Sequence, residues 1–220
     1  MENIKIYNMD CLDGIKQIPD HSINCVVTDP PYFQGLTHNG SSYELADLNI
    51  SAYFFKALMA EIRRVLVKDY SFYFFADWRG YAFYYPIINE FLKIKNLLVW
   101  DKGSAPGSFY TFAHELIIFA TGKNRLPAGG SNVIKGIAGF SCGAKKYEGE
   151  KLHPTQKPVS LIKKLILDST KEEDTVLDVF MGSGTTALAA KELGRKFIGY
   201  EIQEKYYTIA KQRLGGLFDE

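Results

Sequence analysis

The chain has 220 residues, 46% of them hydrophobic and 23% charged, with a formal net charge of +1. That length holds one α/β domain with a sizeable core and is too short for two full domains, and the near-neutral balance excludes a polycation that grips nucleic acid by bulk charge. No apolar run approaches the roughly 20 residues of a membrane span, the polar start MENIKIYNMD is unlike a signal peptide, and three cysteines without a CxxC pair support neither a zinc site nor a disulfide framework, so a reducing cytoplasm fits best.

IKIYN reads as a short strand, followed by a short helix over 11–17 and a second strand, NCVVTD. Residues 34–49 are rich in Gly, Ser and Asn and read as a loop. From 50 to 67 the apolar groups Phe54, Leu58, Ile62, Val65 and Leu66 recur at helical spacing. YSFYFFAD is dense in aromatics, as a strand buried on both faces is; its aromatics and those of the helix expected over 80–93 are core candidates rather than base-stacking ones. NLLVW and ELIIFAT are strands close enough to pair antiparallel through DKGSAPGSFYTF. Residues 122–152 are glycine-rich, show no period, and read as an irregular insertion.

The last third is more regular. KPVSLIKKLILDST is a helix with Pro158 in its first turn, where a missing N–H does no harm. TVLDVF is a strand, GSGTTALAAKELG a helix opened by a glycine turn and stopped at Gly194, KFIGYEI a strand, and EKYYTIAKQRLGG a final helix. Alternating strands and helices predict an α/β fold: a doubly wound, mostly parallel seven-stranded sheet with an antiparallel hairpin at one edge.

Two stretches carry chemistry. TDPPYF ends a buried strand with a carboxylate, two prolines and two aromatics; by itself it is a rigid turn with a surface tyrosine. LDVFMGSGTTALAA places Gly182, Gly184 and Ala187 at the G-x-G-x-x-[G/A] spacing, with Glu201 at the end of the next strand. Glycines let the backbone pass close to a ligand, and an acid at that place accepts hydrogen bonds from ribose hydroxyls, so a nucleoside-containing cofactor is expected. NAD is the obvious candidate, but dinucleotide folds carry this turn in their first strand–helix unit and here it arrives at residue 182 of 220. Residues 121–157 hold Lys123, Arg125, Lys135, Lys145, Lys146, Lys151 and Lys157 against Glu148 and Glu150, a local +5; this is a solvated loop or a segment that meets phosphates.

DPPY at 29–32, HPTQKP at 153–158, DVFMGSGTT at 178–186 and GYEIQEKYY at 199–207 together resemble the motifs of the amino-methylating DNA methyltransferases. Their order, with the DPPY half first, resembles the β class, a circularly permuted Rossmann-like methyltransferase fold. The resemblance covers roughly 1–122 and 153–214 and implies one methyltransferase domain whose insertion at about 122–152 reads the target. It implies S-adenosylmethionine as cofactor, DNA with a flipped base as partner, no metal and no membrane, and a cytoplasmic enzyme of a bacterium, archaeon or phage. An insertion this short is expected to read a short site, or several related ones, or to depend on a second copy of the chain as a homodimer. One departure from the family pattern is Val179, where proline is frequent.

Carried over residue by residue, the resemblance makes Asp29, Pro30, Pro31 and Tyr32 the catalytic turn. Asp29 and the Pro30 carbonyl accept the two amine hydrogens, and Tyr32 stacks on the flipped base. Phe180 lies against the cofactor, Asp178 stands at the head of the same motif, and Gly182, Ser183, Gly184 and Thr185 surround the methionine part. Glu201 takes the ribose, Asp10 and Cys11 flank the adenine, and Thr155 and Lys157 take the carboxylate end, with His153 as a further candidate; for Asp10 helix capping is an equal reading. Lys123, Arg125, Lys135, Lys145, Lys146 and Lys151 are the candidates for DNA phosphates. Aspartate at position 29 favours N6 of adenine, with N4 of cytosine as the alternative; an RNA methyltransferase, a non-catalytic subunit and a nicotinamide oxidoreductase are more distant readings. The 34–49 loop is expected to close over the flipped base, by position alone.

Overall fold

The computed structural model describes residues 3–31, 48–103, 109–124, 126, 128–139 and 156–215. Tyr32, Arg125, Lys145, Lys146, Lys151, His153, Thr155 and nearly all of the 34–49 loop lie outside the described residues. Eight described strands, β1 (Ile4–Tyr7), β2 (Ile23–Thr28), β3 (Leu66–Ala76), β4 (Ile94–Asp101), β5 (His114–Thr121), β6 (Val133–Ile134), β7 (Thr175–Asp178) and β8 (Lys196–Tyr200), make one sheet. Its order is β1-β8-β7-β2-β3-β5-β4-β6. Only β5 runs against its neighbours; every other pairing is parallel. Six described helices are α1 (Cys11–Ile15), α2 (Leu48–Val65), α3 (Trp78–Phe91), α4 (Val159–Ser169), α5 (Thr185–Glu192) and α6 (Glu204–Arg213).

The sheet separates two apolar layers. Along β3 the aromatics alternate: Phe72 and Phe74 pack with Phe55, Leu58, Met59 and Ile62 of α2, while Tyr73 and Phe75 face the layer that holds Leu161, Ile162, Leu165 and Ile166 of α4. All four β3 rings are buried. Period-2 alternation with both faces covered is the reason this strand reads as one unbroken apolar run, and each such ring contributes roughly 1.5–3 kcal/mol by leaving water. Of the next aromatics Tyr84 is buried but Trp78 is 66% exposed, so the core assignment holds for the strand and only partly for the helix.

Element boundaries and the insertion differ from the sequence reading. The helix over 50–67 stops at Val65, and Leu66 already belongs to β3, paired with Ile23. The insertion is not wholly irregular. Val133 and Ile134 lie parallel on Val99 and Trp100, add an eighth strand outside the hairpin, and so move the hairpin off the edge. A two-residue strand has no period to detect; it is held by Val99 N–H on the Asn132 carbonyl (2.7 Å) and by the Trp100 indole N–H on the Ile137 carbonyl (2.8 Å).

Candidate active site

The sheet order β7-β2-β3 puts β2 between the other two, so the ends of β2 and β7 are neighbours although 150 residues separate them in sequence. Thr28, the last residue of β2, donates its hydroxyl to Asp178 Oδ1 at the end of β7 (2.9 Å), and both are buried. Asp178 Oδ1 also accepts from the Phe180 amide (3.1 Å), and Oδ2 accepts from the Thr186 hydroxyl on α5 (2.6 Å). Asp178 is therefore a strut inside the turn. Burial pushes its carboxyl up to about 6, against the pull of the Thr186, Thr28 and Phe180 hydrogen bonds.

Asp29 follows Thr28 and turns to the α4 side of the sheet. Pro30 is buried, and the Pro31 carbonyl accepts from the Tyr84 hydroxyl (3.3 Å), which ties the proline turn to α3. Proline fixes φ, so a tandem pair holds the carbonyls of such a turn in set directions. The turn after β7 is shaped by glycine. Gly182 and Gly184 adopt φ of +54° and +80°, which side chains with a Cβ rarely take. The Gly182 amide donates to Glu201 Oε2 (2.9 Å), and the Gln203 amide donates to Oε1 (2.7 Å), so the Glu201 carboxylate is held beside the glycine turn. Burial raises its pKa above the ordinary glutamate value, while the two amides oppose that shift.

Between these parts lies an open cleft lined by Asp29, Phe75, Lys157, Asp178, Phe180 and Gly182, among others. Phe180 packs on Phe54 and Phe55, with ring centroids 6.4 and 6.2 Å away. Asp10 caps α1 through the Leu12 amide (2.8 Å), which bears out the capping role weighed for it. Its neighbour Cys11 is buried, and burial together with Asp10 pushes the thiol up to about 12. Asn8 donates to the carbonyls of Glu201 (2.8 Å) and Ile202 (3.1 Å), which brings the Asp10–Cys11 segment up to the Glu201 end of β8.

The predicted cations separate. Lys157 sits in the cleft with its ammonium on Asp29 Oδ2 and 3.3 Å from Glu115 Oε2. Lys123 stands at the far end of the antiparallel β5 and donates to the Ser169 carbonyl, away from Asp29. Lys135 follows β6, which runs parallel to β4, and is exposed at the end of the sheet where Asp29 lies.

Comparison with known proteins fits this arrangement. A family model described as DNA methylase, for N6 and N4 amino-methylating enzymes, matches residues 23–212. The chain belongs to this family. The Type II methyltransferase M2.MboI of Moraxella bovis is 30% identical over 96% of this chain and 88% of its own length. M.HinfI of Haemophilus influenzae is 31% identical over 93% of this chain, which spans 66% of it. Among solved structures, the M1.HpyAVI–SAM complex has a TM-score of 0.73 at 26% identity, covering 96% of this chain and 99% of that one. The cytosine-N4-specific PvuII DNA methyltransferase has a TM-score of 0.77 at 21% identity, over 96% and 86%.

Three residues of this methylase's site were not singled out in the sequence. Glu115 is the second residue of β5, in what reads only as an apolar strand. Gln156 lines the cleft and is 9% exposed; its place inside HPTQKP was the available signal. Arg213, in the last turn of α6, donates to the Ser183 carbonyl (2.7 Å) and the Thr185 hydroxyl (3.1 Å), bracing the glycine turn from outside. A basic residue at a helix C-terminus is ordinary, so nothing local marked it.

Proposed function

We propose that this DNA methyltransferase moves a methyl group from S-adenosylmethionine to N6 of adenine at a short site in duplex DNA, as the modification enzyme of a restriction–modification pair. The observation that supports this most is the meeting of two strand ends in one cleft: the acidic proline turn after β2 and the glycine turn after β7, joined by the Thr28–Asp178 hydrogen bond. Asp29 at the first position of the proline turn favours adenine, with N4 of cytosine as the alternative.

The residues present fit the cofactor. Glu201 is an anchored carboxylate beside a backbone turn of left-handed glycines, the donor and acceptor set that a ribose and an amino-acid moiety require. Glu201 would hold the ribose, Asp10 and Cys11 the adenine, and Phe180, Gly182, Ser183, Gly184 and Thr185 the methionine part, with Thr155 near its carboxylate. When bound, the cofactor supplies an electrophilic methyl group on a sulfonium. The exocyclic amine is a poor nucleophile because its lone pair is delocalised into the ring. Asp29 and the Pro30 carbonyl each accept one of its hydrogens, drawing the nitrogen towards a tetrahedral shape. Pro31 keeps that turn stiff, and Tyr32 stacks on the extruded base, worth about 1–3 kcal/mol. Alignment and hydrogen bonding supply the acceleration. Lys135 meets the DNA backbone, and a second copy of the chain extends the reading surface.

Incubation with tritiated S-adenosylmethionine and mixed DNA, followed by nucleoside chromatography, tests the assignment. Label in N6-methyladenine is expected; label in N4-methylcytosine overturns the choice of base, and unlabelled DNA overturns the reading. Asp29→Ala should cut transfer by at least about 10³-fold, while the Kd for the cofactor stays within roughly threefold because Glu201 and the glycine turn are untouched.

A further inference from the structure

Behind Asp29 lies a row of alternating charges that the methyl-transfer chemistry above does not use. The Lys157 ammonium touches Asp29 Oδ2 on one side and Glu115 Oε2 (3.3 Å) on the other. Glu115 Oε1 in turn meets Lys102 Nζ (3.0 Å). Lys157 and Glu115 expose only 6% and 18% of their side chains, so these are interior pairs rather than solvated ones. The Lys157 ammonium also lies 5.1 Å from the centre of the Phe75 ring. Burial works against both charges, pushing the lysine down and the glutamate up. The opposite charges win: Asp29 and Glu115 hold Lys157 above its ordinary pKa, and Lys157 and Lys102 hold Glu115 below its own. The row ends at the insertion, where the Lys102 carbonyl accepts from the Gly139 amide (2.9 Å).

We propose that Lys157 and Glu115 are positioning residues for Asp29: the ammonium pins one carboxylate oxygen and keeps the acid ionised, and Glu115 holds the ammonium in place from behind. The inference rests on the reading of Asp29 as the acceptor for the target amine. An acceptor must stay charged and must not rotate, and a buried carboxylate left alone does neither well. Glu115 in β5, Lys102 just after β4, Asp29 just after β2 and Lys157 before α4 contribute one charge each, so the carboxylate is tied to the sheet through β5 and not to the proline turn alone. Lys157 thereby has a role separate from the cofactor's carboxylate end, the role its motif position implies.

The test uses Lys157→Gln, Glu115→Gln and the double variant in the full chain, with three readouts. These are the Kd for S-adenosylmethionine, the single-turnover transfer rate against pH, and a ¹³C carboxyl titration of Asp29 assigned by comparison with Asp29→Asn. Among the described residues, the other charged or titratable groups near Asp29 are Asp178 and Tyr84, with Glu115 and Lys102 behind Lys157, and each is kept in Lys157→Gln. Lys157→Gln should slow transfer about 10²-fold with cofactor Kd within roughly threefold. It should also move the Asp29 midpoint to higher pH, because an adjacent positive charge is lost. Glu115→Gln should slow transfer about tenfold without raising that midpoint, since it removes an anion, and the double variant should be no slower than Lys157→Gln alone. Transfer within twofold of wild type, or a Kd that weakens as much as the rate falls, overturns the proposal; the second result would make Lys157 a cofactor ligand. If Lys157→Gln does not fold, Glu115→Gln decides in the same way by its rate. The carboxyl titration needs no turnover, so an inactive wild type counts against DNA methylation while an unmoved Asp29 midpoint counts against the positioning role.

Discussion

Asp178 is a carboxylate carried into the interior to receive three hydrogen bonds, and its pKa records what that costs. A rise from 3.8 to about 6 means that the folded state holds the proton more tightly than the unfolded state does. Its stabilising contribution is therefore complete below about pH 4 and is lost as pH rises through 6, a change of ~3 kcal/mol. Glu115 has the opposite sign: its pKa is lowered, so its contribution is present above the ordinary value of 4.5 and is lost as pH falls through its folded value. Asp178→Asn separates the two. The asparagine oxygen keeps the Thr28 and Phe180 donors, and the Thr186 hydroxyl turns from donor to acceptor. The variant should lose the decline in stability between pH 4 and 6 and be no less stable than wild type at pH 8, as read from urea midpoints across that range.

Helix α5 starts from a glycine that serves two geometric needs at once. Gly184 has φ +80° at the N-cap, and a Cβ built there would stand 2.8 Å from the Ala210 Cβ of α6. The turn is thus closed on its outer side by α6, which also supplies Arg213 to Ser183 and Thr185. Gly184→Ala combines a left-handed backbone with an overpacked helix contact, and about 2–3 kcal/mol of destabilisation is expected. The measurement is a shift of the urea midpoint at unchanged slope; a variant within 0.5 kcal/mol of wild type would mean that α6 does not press on the turn.

At the scale of the whole molecule, the sheet order decides which positive charges can serve DNA. Because β5 is antiparallel, Lys123 at its end is carried away from Asp29, whereas β6 runs with β4 and brings Lys135 to the end of the sheet where Asp29 lies. Lys135→Ala should weaken binding to all duplexes about equally and flatten the plot of log K against log salt by about 0.9. Lys123→Ala should leave that slope unchanged, because its ammonium is engaged with the Ser169 carbonyl. Equal slope changes for the two would contradict this placement.

The parts whose physics is local were legible in the order of residues. An apolar run ending in two prolines, a strand ending in a glycine turn, a glutamate closing the next strand and an aromatic run buried on both faces all depend on neighbours a few residues away, and each stands where it was expected. What depends on pairing across the chain was settled only by folding: that β2 lies beside β7, that two residues of the insertion form a strand, and that Lys157 turns to Asp29 and Glu115. A lysine's partner is set by which carboxylates the sheet brings within reach of its ammonium, and those carboxylates are 128 and 42 residues away along the chain.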